Sequence, residues 1–144
     1  MFMGMVLLYL GTDCLIAFKS SLLAIFGTYI IMVIKFFMKE PRPFWETNDI
    51  KSTNCDLTFS SPDRHAFNLL FFWMYVNYQY LWKYSARPNK FLVGAIGSCI
   101  IVIYILSAFI QAYFGLNYIH QSLIGGMIAL IYLAVCVIFD DEIM

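Results

Sequence analysis

Long apolar segments separated by short polar connections are the dominant pattern along this chain. Residues 91–139 contain no Asp, Glu, Lys or Arg. One helical crossing of a bilayer takes about 20 apolar residues, so this run is long enough for two crossings with a turn between them. The pattern predicts an all-α fold, a polytopic transmembrane helix bundle with four spans and a fifth, short span at the N-terminus. The four spans are predicted at 20–38, 65–82, 91–110 and 121–139, and the short one at 2–17.

The connections between these segments predict one membrane domain over residues 1–144 and its orientation. All four prolines lie in the connections, as expected where helical hydrogen bonds must stay intact inside lipid. Loop 83–90 carries three basic residues and no acid, which places it and the C-terminus on the cytoplasmic or equivalent side of the membrane. Counting crossings then puts loops 39–64 and 111–120 together on the opposite side.

Composition excludes several classes of protein. The chain is 62% hydrophobic and 12% charged, whereas a soluble domain is roughly 25% charged. Nine basic residues balance nine acidic ones, so no basic field favours nucleic acid. The expected partners are membrane lipids and other membrane subunits. No His and Cys spacing suggests a metal site, and no cofactor is predicted.

More than half of the charged residues lie between Lys35 and Arg64. Lys35 and Lys39 lie at the end of an apolar segment, and taken alone they are best explained by snorkelling toward the headgroups. Arg42 differs because prolines flank it on both sides, and a guanidinium held in this way presents its fork to a phosphate at little cost in ordering. Lys35, Lys39, Arg42 and His65 are therefore the predicted binding residues for a phosphate or a lipid headgroup.

The spacing of Lys35, Arg42 and Pro43 resembles the first signature of the phosphatidic acid phosphatase type 2 superfamily, which reads Lys, six residues, Arg-Pro. This superfamily includes vanadium haloperoxidases, lipid phosphate phosphatases and glucose-6-phosphatase-like membrane proteins. Its second signature, Pro-Ser-Gly-His, corresponds to residues 62–65, where only the proline and His65 are kept. Asp63 and Arg64 replace the serine and glycine.

The third signature of the family reads Ser-Arg, five residues, His, three residues, Asp. In the best register Gln111 stands at the arginine, Asn117 at the histidine and Gln121 at the aspartate. The alternative that uses His120 as the nucleophile gives a poorer match to the rest of the motif. The resemblance covers roughly residues 8–139 and implies a family core that lacks its first helix.

What the resemblance implies for chemistry is a lost active site. In the family, the third-signature histidine attacks phosphorus, its aspartate orients the imidazole, and the second-signature histidine protonates the leaving oxygen. Asn117 has no available nitrogen lone pair, and Gln121 has no charge to stabilise an imidazolium. His65, Asn117 and Gln121 are thus predicted to be vestigial, and the chain is predicted not to be an enzyme.

Asp63 has two interpretations. It pairs with Arg42, Arg64 or Lys35 and neutralises the former phosphate pocket, which we favour, or it caps the helix that begins before His65. The sequence as a whole predicts an inactive, phosphatase-like membrane protein that serves as a structural or lipid-binding subunit of a membrane assembly. The alternative is an active phosphatase for lipid phosphates or other phosphomonoesters, with a non-standard nucleophile such as His120.

Overall fold

A computed structural model describes residues 14–46, 58–83 and 89–140 of the chain. Every regular element in these three stretches is helical, as predicted. The elements are α1 (Cys14–Met38), α2 (Pro43–Glu46), α3 (Arg64–Asn77), a π-helical segment (Tyr78–Lys83) that directly follows α3, α4 (Lys90–Tyr113) and α5 (Ile119–Ile138).

The helix boundaries follow from local chemistry. Helix α1 ends where Lys39 adopts a left-handed backbone with φ of 47°, two residues before Pro41. Helix α4 begins after Asn89, whose side-chain oxygen accepts the backbone N–H groups of Phe91 and Leu92. The turn after α4 uses a left-handed residue, Gly115, with φ of 66°, which a glycine adopts without steric cost.

Helix α3 lies at the centre of the bundle and packs against α1, α4 and α5. Phe67, Phe71 and Tyr75 form a stack along α3, and Tyr132 of α5 packs against the first two rings. The three stacked side chains of α3 are all buried. Close approach of α5 requires Gly125, because a Cβ there would meet the backbone oxygen of Asp63 at 2.5 Å.

Within the described residues, α1, α4 and α5 are long and apolar enough to cross a membrane. Helix α3 has 14 residues and is about 21 Å long, which is less than the roughly 30 Å of a hydrocarbon core. The predicted count of four or five crossings is therefore not confirmed. Nearly all of the predicted span 2–17 lies outside the described residues, as do most of loop 83–90 and residues 141–144.

The predicted division between spans 2–17 and 20–38 is wrong where the structure describes it, since α1 begins at Cys14 and continues through Lys19. Lys19 does not mark a polar connection because its ammonium is neutralised inside the bundle. Its Nζ lies 2.8 Å from Oδ1 of Asp140, the buried residue just beyond α5. Tyr75 and Gln79 each donate to the same carboxylate oxygen at 2.8 Å. We call Lys19, Tyr75, Gln79 and Asp140 the lower polar cluster, since they lie at the end of the bundle opposite Lys35.

Candidate functional site

Four uncharged side chains form a hydrogen-bonded chain, and three of them, Gln111, Asn117 and Gln121, are the residues predicted to align with the third signature. Nδ2 of Asn117 donates to Oε1 of Gln111 at 2.6 Å. Oγ of Ser60 lies 2.6 Å from Oδ1 of Asn117 and is also within hydrogen-bonding distance of Oε1 of Gln121. One hydroxyl proton serves one of these two oxygens at a time. Ser60, Gln111, Asn117 and Gln121, which we call the amide network, are all buried.

Gln121 connects the amide network to two backbone groups and to the side chain of Glu40. Its Oε1 accepts the backbone N–H of Tyr118 at 2.9 Å and so caps the first turn of α5. Its Nε2 donates to Oε2 of Glu40 at 3.1 Å and to the backbone oxygen of Pro41 at 3.3 Å. Asn117 and Gln121 therefore use both ends of their amide groups in bonds within the protein.

Lys35 and Arg42 are buried, and both donate to backbone carbonyls. Nζ of Lys35 donates to the oxygen of Phe59 at 3.0 Å. Nε of Arg42 donates to the oxygen of Thr58 at 2.8 Å, and Nη1 donates to the oxygen of Leu116 at 3.3 Å. The two cations thus hold the segment before α3 and the turn between α4 and α5. Lys39, by contrast, is exposed.

The contacts of Asp63 differ from the predicted pairing with a cation. Its Oδ1 accepts the backbone N–H of His65 at 2.8 Å, and its Oδ2 accepts the hydroxyl of Ser122 at 2.9 Å. In the part of the chain that the structure describes, this carboxylate forms no ion pair with Arg42, Arg64 or Lys35. It is the N-cap of α3, because a capping oxygen satisfies an otherwise unpaired backbone donor.

His65 and Arg64 line a groove with a volume of about 770 Å³, which we call the α1–α4 groove. Helix α3 supplies most of its lining, and α1 and α4 form its sides. Gln111 of the amide network also lines it. The side chain of His65 is exposed, and no hydrogen bond joins it to Asn117 in the described stretches.

His120 lies apart from the amide network, on the exposed surface. Its Nε2 is 3.4 Å from Oε2 of Glu40, and its ring stacks on that of Tyr118. It does not line the α1–α4 groove. The hydroxyl of Tyr118 donates to Oε2 of Glu46 at 2.7 Å, and this hydrogen bond raises the pKa of the Tyr118 phenol.

The structure brings together more residues than the motifs identified. Ser60 is central to the amide network, and Glu40 is bonded to Gln121, yet neither belongs to a signature position. Their only sequence signal is a nearby proline: Ser60 lies two residues before Pro62, and Glu40 directly precedes Pro41. Within the described stretches no group of three or more His, Cys, Asp and Glu side chains is arranged to hold a metal ion.

Comparison with known proteins identifies the fold. The PAP2 superfamily matches residues 17–143 of the chain. A crystal structure of a transmembrane PAP2-type phosphatidylglycerolphosphate phosphatase from Bacillus subtilis superimposes with a TM-score of 0.70 at 21% sequence identity. The match covers 89% of this chain and 60% of that one, so this chain spans less than two thirds of the bacterial enzyme. No curated protein sequence gives a significant match.

The family match covers most of the chain, including all of the signature positions between Lys35 and Gln121. The structural match shows that the helical membrane fold is shared with an experimentally determined member. The resemblance inferred from the motifs is thus confirmed. This integral membrane chain belongs to the PAP2 superfamily.

Proposed function

We propose that this chain is a catalytically inactive member of the PAP2 superfamily that acts as a structural or lipid-binding subunit of a membrane assembly. The supporting observation is the amide network around Asn117. Phosphoryl transfer to an enzyme requires a nucleophile with an available lone pair and a second group that orients it. An amide nitrogen is delocalised, and both ends of the Asn117 amide are engaged by Ser60 and Gln111.

The cations at this site have acquired a structural role that supports the same proposal. A phosphate needs N–H donors that are not already satisfied. Lys35 and Arg42 direct described donors to the backbone oxygens of Phe59, Thr58 and Leu116. At the position that the resemblance assigns to a further cation, Gln111 is neutral. The former site is therefore better suited to holding three chain segments together than to binding a substrate phosphate.

The proposed topology places this site at one membrane face. Lys35 and Asp63 lie at the ends of α1 and α3 that meet there, and Asn117 lies in the turn between α4 and α5, while the lower polar cluster joins the opposite ends of α1, α3 and α5. We include α3 and the π-helical segment as a further crossing, because together they extend from one face of the bundle toward the other. Loops 39–64 and 111–120 would then share the side opposite loop 83–90 and the C-terminus.

Measuring phosphate release tests the inactive state. We expect the purified chain, supplied with phosphatidic acid in mixed micelles, to release no more phosphate than His65→Ala or micelles alone. The variant with Asn117→His, Gln121→Asp, Gln111→Arg and Asp63→Ser restores the groups that the resemblance implies, and its matched control adds His65→Ala. Phosphate release by the unmodified chain that is abolished by His65→Ala would contradict the proposal.

The subunit role rests on the exposed apolar surface of the bundle. Helix α4 buries few side chains and exposes large apolar ones toward its surroundings, among them Ile103, Leu106, Phe109 and Ile110. Lipid or the helices of other subunits must cover this face. We expect the chain, extracted from its native membrane in a mild detergent, to migrate in a complex larger than the chain in its own micelle. Migration only as a free chain would contradict the subunit role but not the lipid-binding role.

One observation favours the enzymatic alternative. The contact of 3.4 Å between His120 and Glu40 is the kind of carboxylate contact that orients a catalytic imidazole. Under this alternative, the unmodified chain hydrolyses a phosphomonoester, and His120→Ala abolishes the activity. A matched variant, Tyr118→Phe, keeps the ring that stacks on His120 and should leave the rate unchanged.

A further inference from the structure

One side of the central helix α3 is left open between α1 and α4. Both flanking helices pack against α3, and the α1–α4 groove separates them. The α3 residues that line it form three pairs spaced one helical turn apart, which are Arg64 and His65, Asn68 and Leu69, and Phe72 and Trp73. Transmembrane helices associate by fitting the side chains of one helix along such a stripe of another. The open side therefore has the form of a site for one further helix.

The end of the groove nearest the amide network carries a cation and no carboxylate. No residue that lines the groove is acidic. Within the described stretches, the guanidinium of Arg64 forms no hydrogen bond or ion pair, and both carboxylate oxygens of its neighbour Asp63 are bonded to other groups. A carboxylate binds the fork of a guanidinium with two parallel hydrogen bonds. A helix that complements this end therefore carries Asp or Glu.

Polar groups also line the groove one helical turn further in. The side-chain amide of Asn68 is bonded at one end to the hydroxyl of Thr28 at 2.8 Å, and its other end has no partner within the described stretches. On the opposite wall, the hydroxyl of Ser107 accepts one hydrogen bond of 3.5 Å from Gln111 and donates to no described group. Hydrocarbon leaves such groups unsatisfied, whereas an amide or hydroxyl side chain of a neighbouring helix bonds to them.

We propose that the α1–α4 groove is the docking site for one transmembrane helix of another subunit, whose carboxylate binds Arg64 and whose amide or hydroxyl side chain, one turn away, binds Asn68. This inference rests on the proposed subunit role and specifies the surface and the chemistry of the partner. A second copy of the chain does not have this chemistry, because α1, α4 and α5, the described helices of membrane-spanning length, contain no Asp or Glu.

Synthetic helices test this chemistry directly. The probe is a Leu-rich transmembrane peptide with Glu in its first turn, Ser four residues later and a dansyl group at its midpoint, in phosphatidylcholine bilayers. Trp73 lines the groove and is the single tryptophan in a Trp45→Phe, Trp82→Phe background, so energy transfer to dansyl reports docking. We expect half-maximal transfer at a mole fraction about tenfold lower for the Glu peptide than for a peptide with Gln in its place, since a charged hydrogen bond is lost.

Exchanging the charges makes the test sharper. In Arg64→Glu, a peptide with Lys in place of Glu should dock at a lower mole fraction than the Glu peptide, which reverses the order for the unmodified residue. The matched control, Lys90→Glu, makes the same change of charge at an exposed position of the opposite end of the bundle and should leave the order unchanged. Asn68→Leu should weaken the Glu and Gln peptides equally, about threefold, because a hydrogen bond common to both is lost. Unfolding curves check that each variant is folded.

Cross-linking in the native membrane identifies the occupant. With the photoreactive amino acid benzoylphenylalanine in place of Leu69, which lines the groove, we expect an adduct with a different protein and its loss in Arg64→Glu. An adduct with a second copy of the chain, or with phospholipid alone, would overturn the proposal. Equal docking of the Glu, Gln and Lys peptides would also overturn it.

These outcomes can be told apart from a failure of the proposed function. A large native complex that persists in Arg64→Glu, together with equal docking of the three peptides, contradicts this inference and leaves the subunit role in place. Phosphate release from phosphatidic acid by the unmodified chain, together with charge-dependent docking, contradicts the inactive state but not the docking site.

Discussion

Asn117 donates to Gln111 across 2.6 Å, so two amide side chains that are predicted to stand at a histidine and an arginine of the family signature satisfy each other. The pair is buried, and it joins the end of α4 to the turn before α5. Replacing a charged site by neutral, mutually bonded amides removes the need to keep ions in a low-dielectric environment. Under the proposed function, these residues connect helices and take no part in catalysis.

Ser60→Ala should destabilise the folded chain by about 1–3 kcal/mol, because it leaves the buried amide oxygen of Asn117 without a donor, whereas the oxygen of Gln121 keeps the backbone N–H of Tyr118. Ser98→Ala is the control, since Ser98 is exposed and bonds only within its own helix. It should change the free energy of unfolding by less than about 0.5 kcal/mol. Denaturant titration in detergent, followed by circular dichroism, measures both. Equal effects of the two substitutions would show that the amide network contributes nothing to stability.

Asp140→Asn should destabilise the chain by about 3–5 kcal/mol, because it leaves the ammonium of Lys19 largely buried without its counter-ion. Combining it with Lys19→Met should recover part of the loss, as no unpaired charge then remains. Lys90→Gln, a change at an exposed charged side chain, is the control for the loss of one charge. The same unfolding measurement applies. A double variant less stable than Asp140→Asn would contradict the assignment of Lys19 and Asp140 as a compensating pair.

Gly125→Ala should destabilise the bundle by about 1–3 kcal/mol, because the added Cβ would lie 2.5 Å from the backbone oxygen of Asp63 and force α3 and α5 apart. Gly94→Ala is the matched control, since a Cβ there meets nothing within 4 Å. It should stabilise helix α4 by about 0.5–1 kcal/mol through helix propensity. The midpoints of thermal unfolding should therefore move in opposite directions. Movement in the same direction would contradict the close packing at Gly125.

The Tyr118 phenol should ionise at a higher pH than an ordinary tyrosine, because its hydrogen bond to Glu46 favours the neutral form. The hydrogen bond therefore stabilises the folded state fully at pH values below the usual phenol pKa near 10. This stabilisation is lost as the pH rises through the raised pKa. The difference in tyrosinate absorbance between the chain and Tyr118→Phe follows this one group. Glu46→Gln should shift its titration to lower pH, and an unchanged titration would exclude the hydrogen bond as the cause.

Sequence patterns were sufficient for the features that depend on composition and local spacing. The run without charges from 91 to 139 predicted membrane-length helices, and α4 and α5 fall inside or at the edges of it. Lys35, Arg42 and His65 identified the family because their spacing along the chain is itself the signature. The register that aligned Asn117 and Gln121 with the third signature stays a prediction, although both residues lie in the amide network beside Gln111.

Partners that are distant in sequence could not be predicted in the same way. The sequence pattern places Lys19 between two predicted spans. Its partner Asp140 lies 121 residues further along the chain, and no local pattern indicates that the two side chains meet. Asp63 was expected to neutralise a cation, but its oxygens bond to a backbone N–H and to Ser122 of α5. Both errors arise from assigning a charge by its neighbours in sequence.

The sequence by itself determined that this chain is a helical membrane protein of the PAP2 superfamily, since hydrophobic length and motif spacing are properties of the linear chain. Only the tertiary structure decided what the remaining polar groups do. Lys35 and Arg42 bind backbone carbonyls, Asp63 caps a helix, and Arg64 is left at the end of an apolar groove. These roles depend on which donors and acceptors meet across helices, and that is fixed by packing.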